Sequence, residues 1–322
     1  MLSYAARKAL FFLFVGIFLV SAPLVVLYTA GYRFNRNNNT VLQTGTLAIA
    51  SVPRGASTFI NGEDIRDATP AVLQRLSTGT RTVRLVKEGY YPWERTVSVQ
   101  SGATTYVTAP LFLQEDALAL QPDTAAWNRA QTARLIEEVI LPENIRLTPT
   151  SAGVEVYLNS HTNSTFLTLL PADSYTPFIV GDQDLFVKNS KGEVFVLSLT
   201  RAQAVQSLGK NVIAYAWEEK ERLFAWTDGL EVRTFSPSNN SQELITRQGD
   251  PISALTFAHN GESLILASAQ GLLGIDLTSY TDGRLHTTLF SFSEPMEAWF
   301  SEDGSTAYLA TTSSLSSLPL TP

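Results

Sequence analysis

With 322 residues, 44% of them apolar and 16% charged, the chain is long enough for more than one domain and too apolar to be a disordered polymer. Its 23 basic and 30 acidic side chains leave a net charge of −7 with no basic block, which argues against duplex nucleic acid as a partner. Cysteine is absent, so disulfides, thiol catalysis and thiolate metal sites are excluded.

Ala9 to Tyr28 is a run of twenty residues without a charge. As a helix it spans roughly 30 Å, the thickness of a bilayer's hydrocarbon core. We expect a tail over 1–8, a single transmembrane helix over 9–30 and a polar linker over 31–42 that includes Arg36–Asn39. A cleaved signal peptide is the rival, but its apolar region would be shorter. The one small-residue site, Val20-Ser21-Ala22, is followed by Pro23, a poor residue after a scissile bond. Arg7 and Lys8 on one side balance Arg33 and Arg36 on the other, so the positive-inside count is tied. The short basic tail points to a signal anchor with a cytoplasmic N-terminus and an exported bulk. A flipped anchor would instead leave a scaffold facing the cytoplasm.

From 43 to 115 short alternating segments predict a small β domain. Thr46–Val52, Ser57–Ile60, Arg81–Val86, Arg95–Val99 and the stretch from Thr104 read as strands, with Val83 and Leu85 on one face and Val97 and Val99 on another. Asn61-Gly62 is a hairpin signal. Gly55, Gly62, Gly79 and Gly89 fall where turns need unusual φ. Pro53 and Pro70 suit strand entries or edges. Tyr90, Tyr91 and Trp93 crowd behind Gly89. Strand alternation would place Tyr91 and Trp93 on one face and Tyr90 on the other. Together they are either core or an open platform on which a sugar ring stacks, which makes Tyr91 and Trp93 the candidate ligand residues.

The ordered series Pro53, Gly55, Ala56, Asn61, Gly62, Thr69, Pro70, Leu76, Gly79, Gly89, Tyr90 and Pro92 resembles the PEGA domain family. Arg54 stands where the name of that family expects glutamate. The resemblance implies an extracytoplasmic β module of bacterial and archaeal envelope proteins, often beside a membrane anchor, and it brings no catalytic residues.

A linker over 116–144 should hold a short helix from a cap at Asp123 to about Val139, with Trp127, Ala130, Leu135 and Ile136 as its apolar stripe. Over 145–322 a weak repeat appears. A small residue opens a strand at Gly153, Gly192, Gly229, Gly271 and Ser314, each time after a short apolar strand. Phe257 and Phe300, Gly261 and Gly304, and Leu266 and Leu309 match between the last units, and Trp217 holds the aromatic place one unit earlier. A period near forty predicts β-propeller blades, loosely like WD40 repeats. About four and a half units fit, with the last breaking off after two strands. Linker strands could complete it. An irregular solenoid or twisted sandwich is the competing architecture. The fold class is therefore mainly β: one N-terminal transmembrane helix, a small PEGA-like sandwich and a propeller-like repeat domain.

Signals of chemistry are sparse. His161, His259 and His286 lack metal-ligand neighbours at helical or hairpin spacing. No phosphate-binding loop, nucleophile elbow or dinucleotide fingerprint is present. Glu63, Asp64 and Asp67 form an acidic turn where calcium is conceivable, and Glu302-Asp303 sit at a blade turn, but a solvated loop is the plainer reading of both. We expect no cofactor, no metal and no catalysis. The expected partners are the bilayer, through residues 9–30, and an envelope protein or glycan. The alternative is an anchored propeller hydrolase acting on envelope polymers with inward carboxylates.

Overall fold

The computed structural model describes residues 4–29, 31–35, 40–122, 124–134, 141–159, 163–200, 205–294 and 296–321. They fall into two units. The first is Met1–Leu111 with Ser279–Gly283, and the second is Phe112–Thr278 with Arg284–Pro322.

The first unit begins with helix α1, Tyr4–Thr29. Its Leu10–Thr29 stretch is long and apolar enough to cross a membrane, and none of it is buried. Eight strands follow: β1 (Tyr32–Asn35), β2 (Thr40–Val52), β3 (Ser57–Ile60), β4 (Glu63–Ala68), β5 (Ala71–Ser77), β6 (Gly79–Val86), β7 (Trp93–Val99) and β8 (Thr104–Pro110). In one sheet β2 carries β1 and β5 antiparallel and β8 parallel. The other sheet runs β4-β3-β6-β7. Alternate residues of β2, β6, β7 and β8 are buried, among them Leu47, Ile49, Val83, Leu85, Trp93, Val97, Val99 and Val107. A period of two on strands of both sheets is what a sandwich core requires. The faces expected for Val83, Leu85, Val97 and Val99 are therefore the observed ones.

Two expectations change here. The polar linker over 31–42 contains strand instead: Tyr32 pairs with Gln43 and Asn35 with Thr40. Arg36–Asn39 lie outside the described residues. Glu63, Asp64 and Asp67 are not a turn, because the turn is Asn61-Gly62 (φ 50 and 86) and Glu63 already pairs with Ile60 in β4.

In the second unit β9 (Leu118–Ala119) and α2 (Ala125–Arg134) precede β10 (Ile145–Thr150), β11 (Gly153–Asn159) and β12 (Ser164–Leu170), which form one sheet. Next come β13 (Tyr175–Val180), β14 (Asp184–Asn189), β15 (Val194–Ser198) and β16 (Gln206–Gly209). The third sheet is β17 (Ala214–Glu218), β18 (Leu223–Thr227), β19 (Glu231–Ser236) and β20 (Ser241–Arg247). The fourth is β21 (Ile252–Ala258), β22 (Ser263–Ser268), β23 (Gly271–Asp276) and β24 (His286–Ser291). The fifth is β25 (Glu297–Phe300), β26 (Thr306–Ala310) and β27 (Leu315–Pro319), joined by β9 at its outer edge.

The expected repeat is visible strand by strand. The small residues at 192, 229, 271 and 314 open the third strand of their sheets, and Gly153 opens β11. Aligned this way, the first sheet lacks an initial strand. The last sheet has three strands of its own, not two, and β9 supplies the fourth. The glycine signal has a steric cause at two equivalent positions. A methyl at Gly153 would come within 2.2 Å of the Leu170 carbonyl oxygen, and one at Gly271 within 2.0 Å of that of Phe290.

Middle strands are buried on both sides. β15 is buried throughout, and β18 and β22 nearly so. Their near-continuous apolar runs follow from being covered on both faces by neighbouring sheets. One core joins the first two sheets, a second the next pair through Phe186, Phe224 and Trp226, and a third the sheets of Val232 and Leu264. α2 covers Trp299, Tyr308 and Leu315 of the last sheet, and the Trp299 Nε1–H donates to the Ala130 carbonyl at 2.9 Å. The helix cap in view is Thr124, whose Oγ1 accepts the Trp127 N–H at 3.2 Å. Asp123, Leu135, Ile136 and Val139 lie outside the described residues.

Candidate functional site

The aromatic stretch does not form a platform. Trp93 is 1% exposed, pairs with Leu85 across the ladder and meets the Tyr280 ring edge-on at 5.5 Å. Tyr90 and Tyr91 precede β7 in a turn closed by the Tyr90 N–H on the Lys87 carbonyl, so strand alternation does not govern them. Both are half-buried. Segment 279–283 belongs to the same unit, and nothing local in the sequence announces it. Tyr280 donates its hydroxyl to the Thr108 carbonyl at 3.0 Å, and Asp282 accepts the Thr96 N–H at 3.0 Å. Beneath lies Arg95, 4% exposed, 5.5 Å over the Tyr280 ring. Its Nη2 is 3.4 Å from Asp282, an ion-pair distance without hydrogen-bond alignment.

The motif residues assemble around Thr69. Its hydroxyl oxygen accepts the N–H groups of Gly55 and Ala56 at 3.1 and 3.0 Å and lies 2.5 Å from Ser51 Oγ. Ser51 in turn donates to the Pro53 carbonyl at 2.7 Å. Thr69 and Ser51 are buried, so the network holds the fold and offers nothing to a ligand. Asn61 Oδ1 accepts the Thr82 N–H at 3.0 Å and ties the hairpin to β6. Pro70, Gly79, Gly89 and Pro92 are exposed at turns and strand starts.

The acidic candidates are dispersed. Asp64 accepts the Arg66 N–H at 2.8 Å. Asp303 is held below the usual carboxylate range by Ser301 and by the N–H and hydroxyl of Ser305. Among the described residues no group of three His, Asp or Glu converges as metal ligands would. His161 lies outside the described residues, and His286 is exposed. His259 is buried, shares a 2.7 Å hydrogen bond with Ser263 and packs edge-on against Phe112 at 5.3 Å. Ser263 pairs across the ladder with buried Asp276. Serine, histidine and aspartate thus occur near one another, but in the interior, where no substrate reaches them.

One surface in the second unit combines a cleft with exposed apolar groups. A cleft of about 250 Å³ between β16 and β18–β20 is lined by Gly209, Lys210, Trp226, Asp228, Glu231 and Arg233. Glu231 is saturated. Arg247 and Arg233 both donate to it, Arg233 through Nε at 3.1 Å and Nη2 at 2.7 Å, and they hold its carboxyl below the usual range. Asp228 is held low by the N–H groups of Glu231 and Leu230. Lys210 has no ion-pair partner among the described residues. Beside the cleft Ile213 is 62% and Leu230 49% exposed, and a methyl at Gly229 would come within 2.9 Å of Ile213 Cδ1. Sequence reading missed this surface because its residues come from four strands and two loops with no common spacing.

No curated protein sequence matches the chain. Among solved structures, the β-propeller domain of Cps50 (Swd1) from Myceliophteria thermophila is similar at 14% identity and a TM-score of 0.35, covering 46% of this chain and 55% of that domain. The chain thus spans about half of that protein's length. Hsv2p of Kluyveromyces lactis is similar at 10% identity and a TM-score of 0.32, covering 74% of this chain and 85% of its own. The PEGA domain family model matches residues 44–114, the segment that holds the sandwich and the Thr69 network just described.

Proposed function

We propose that the protein is a membrane-anchored, non-catalytic scaffold of the cell envelope. α1 sits in the bilayer with the N-terminus cytoplasmic, and the PEGA domain and repeat sheets lie outside. The repeat sheets take a protein or glycan partner. A PEGA domain together with propeller-like sheets supports an interaction or scaffold role. The observation that carries the binding reading is the cleft at Lys210 and Trp226 with Ile213 and Leu230 exposed beside it, since anchor residues next to a polar rim are how interfaces are built. A reporter fused after Pro322 that is active only on the far side of the membrane supports export, and activity only in the cytoplasm overturns it. The detergent-solubilised chain, incubated with envelope extract and with cell-wall polymers, should retain a partner that Leu230→Asp releases. Turnover of a polymer without retention would favour the hydrolase instead.

A further inference from the structure

We infer that the end of the first unit next to α1 lies in the headgroup layer of the bilayer, with Arg75 as a ligand for the phosphate of anionic phospholipids. This rests on the reading of α1 as a membrane anchor.

The junction is short and hydrogen-bonded. Only two residues separate Thr29, the end of α1, from Tyr32, the start of β1. Gly31 turns the chain with φ +80 and donates its N–H to the Tyr28 carbonyl at 3.2 Å. Its own carbonyl accepts both the N–H and the hydroxyl of Thr44 in β2, at 2.9 and 2.8 Å. Gly31 is thus tied to both elements, so the end of the sandwich at Thr44 stays where the apolar run stops.

That end suits the layer. Thr44 faces Ser77 across the ladder, and its carbonyl accepts the Gly102 N–H at 3.1 Å. The turns 77–80 and 100–103 on this side carry no charge, and the carboxylates nearest to them in sequence are Glu94, Glu88 and Asp67. Tyr28 and Tyr32, both exposed, stand where interfacial aromatics belong.

Arg75 is the specific element. Gly45 pairs with Leu76 and Leu47 with Leu73, so Thr46 opposes two residues, Gln74 and Arg75, in a β-bulge. Arg75 adopts φ 62, a left-handed conformation that arginine occupies only when its surroundings impose it. Bulges re-aim side chains. This one carries the guanidinium to 5.4 Å from the centre of the Tyr28 ring, in the last turn of the span. Arg75 is exposed and has no ion-pair partner among the described residues. A guanidinium held at a bilayer boundary with open donors meets lipid phosphate, which it can bind by two parallel N–H bonds.

The chain has no cysteine, so single cysteines can be spin-labelled cleanly. The full chain is reconstituted in phosphatidylcholine vesicles with and without phosphatidylglycerol, with labels at Ile17, Ser77 or Glu88, the last beyond the far end of β6. Ile17 should meet oxygen and not an aqueous nickel chelate, Ser77 should report headgroup depth and Glu88 should behave as in water. Unlabelled chain should enrich spin-labelled phosphatidylglycerol at its boundary. Arg75→Gly, which suits the backbone and should fold, should lower that enrichment about fivefold. Ser77 as wet as Glu88 while Ile17 is in lipid overturns the inference and leaves the anchor standing. A wet Ile17 overturns both. Unchanged enrichment in Arg75→Gly overturns the assignment of Arg75.

Discussion

Gly55 donates its backbone N–H to both oxygens of Thr69, the carbonyl at 2.9 Å and the hydroxyl at 3.1 Å. Two motif pieces fourteen residues apart in sequence are therefore one object. The hydroxyl is used on all sides: it accepts from Gly55 and Ala56 and donates to Ser51, which leaves Ser51 free to donate to the Pro53 carbonyl. Thr69→Val keeps the shape and removes the acceptor, leaving the buried Ala56 N–H unpaired, and should cost about 2 kcal/mol. Thr69→Ser should cost less. Hydrogen exchange of the Ala56 amide checks this, and unchanged protection in the valine variant would refute it.

Trp93 is core, and Tyr91 is not its partner in a platform. Trp93→Ala should destabilise the sandwich by about 3–5 kcal/mol. Tyr91→Ala should cost well under half as much. Limited proteolysis across a urea series separates the two. Glycan binding lost in Tyr91→Ala at full stability would restore the platform.

Asp184 is 3% exposed and its carboxyl is pushed up by desolvation, against which Arg222 supplies two hydrogen bonds of 2.9 Å. Arg222→Ala strands a buried carboxylate and should cost about 3 kcal/mol at neutral pH. The loss should shrink in acid, where Asp184 is protonated. Trp217 and Trp226 in the neighbouring sheet report the unfolding by fluorescence. A variant as stable as the parent would mean that Asp184 is solvated.

Glu262 sets a pH dependence of the opposite sign from most carboxylates. Burial raises its carboxyl, and Asp276 and Glu221 raise it further, while Oε2 is buried without a hydrogen-bond partner. An acid whose folded pKa is raised holds its proton more tightly in the folded chain. Stability is therefore greatest below the ordinary glutamate range and falls as pH rises through the raised value. Glu262→Gln should remove that slope and gain about 1 kcal/mol at neutral pH. Urea midpoints of the two chains at acid and neutral pH should converge in acid; parallel curves would sink the idea.

Gly271→Ala should be costly, because a methyl there meets a carbonyl of β24 and φ is +144. Overpacking against backbone costs about 1–3 kcal/mol, and the strained φ adds to it. A thermal melt unchanged from the parent would show that β23 and β24 can separate without penalty.

Much of this architecture could be read locally. The apolar run at Ala9, the alternation in β6 and β7, the Asn61-Gly62 turn and the small residue at the head of the third strands are short-range requirements, so each leaves its mark within a few residues. Glu63–Asp67 misled because acidic residues after a glycine look like a loop. The ladder to β3 made them a strand with exposed side chains.

What the sequence alone determined is therefore many of the strands, several of their turns, the repeat and the candidate span, since sterics and burial act residue by residue. What only the tertiary structure decided are the pairings across long separations. β9 completes the last sheet from nearly two hundred residues upstream, Tyr280 closes over Trp93, and Lys210, Trp226 and Glu231 come to line one cleft. These contacts depend on which faces the folded sheets leave uncovered, and no spacing along the chain encodes that.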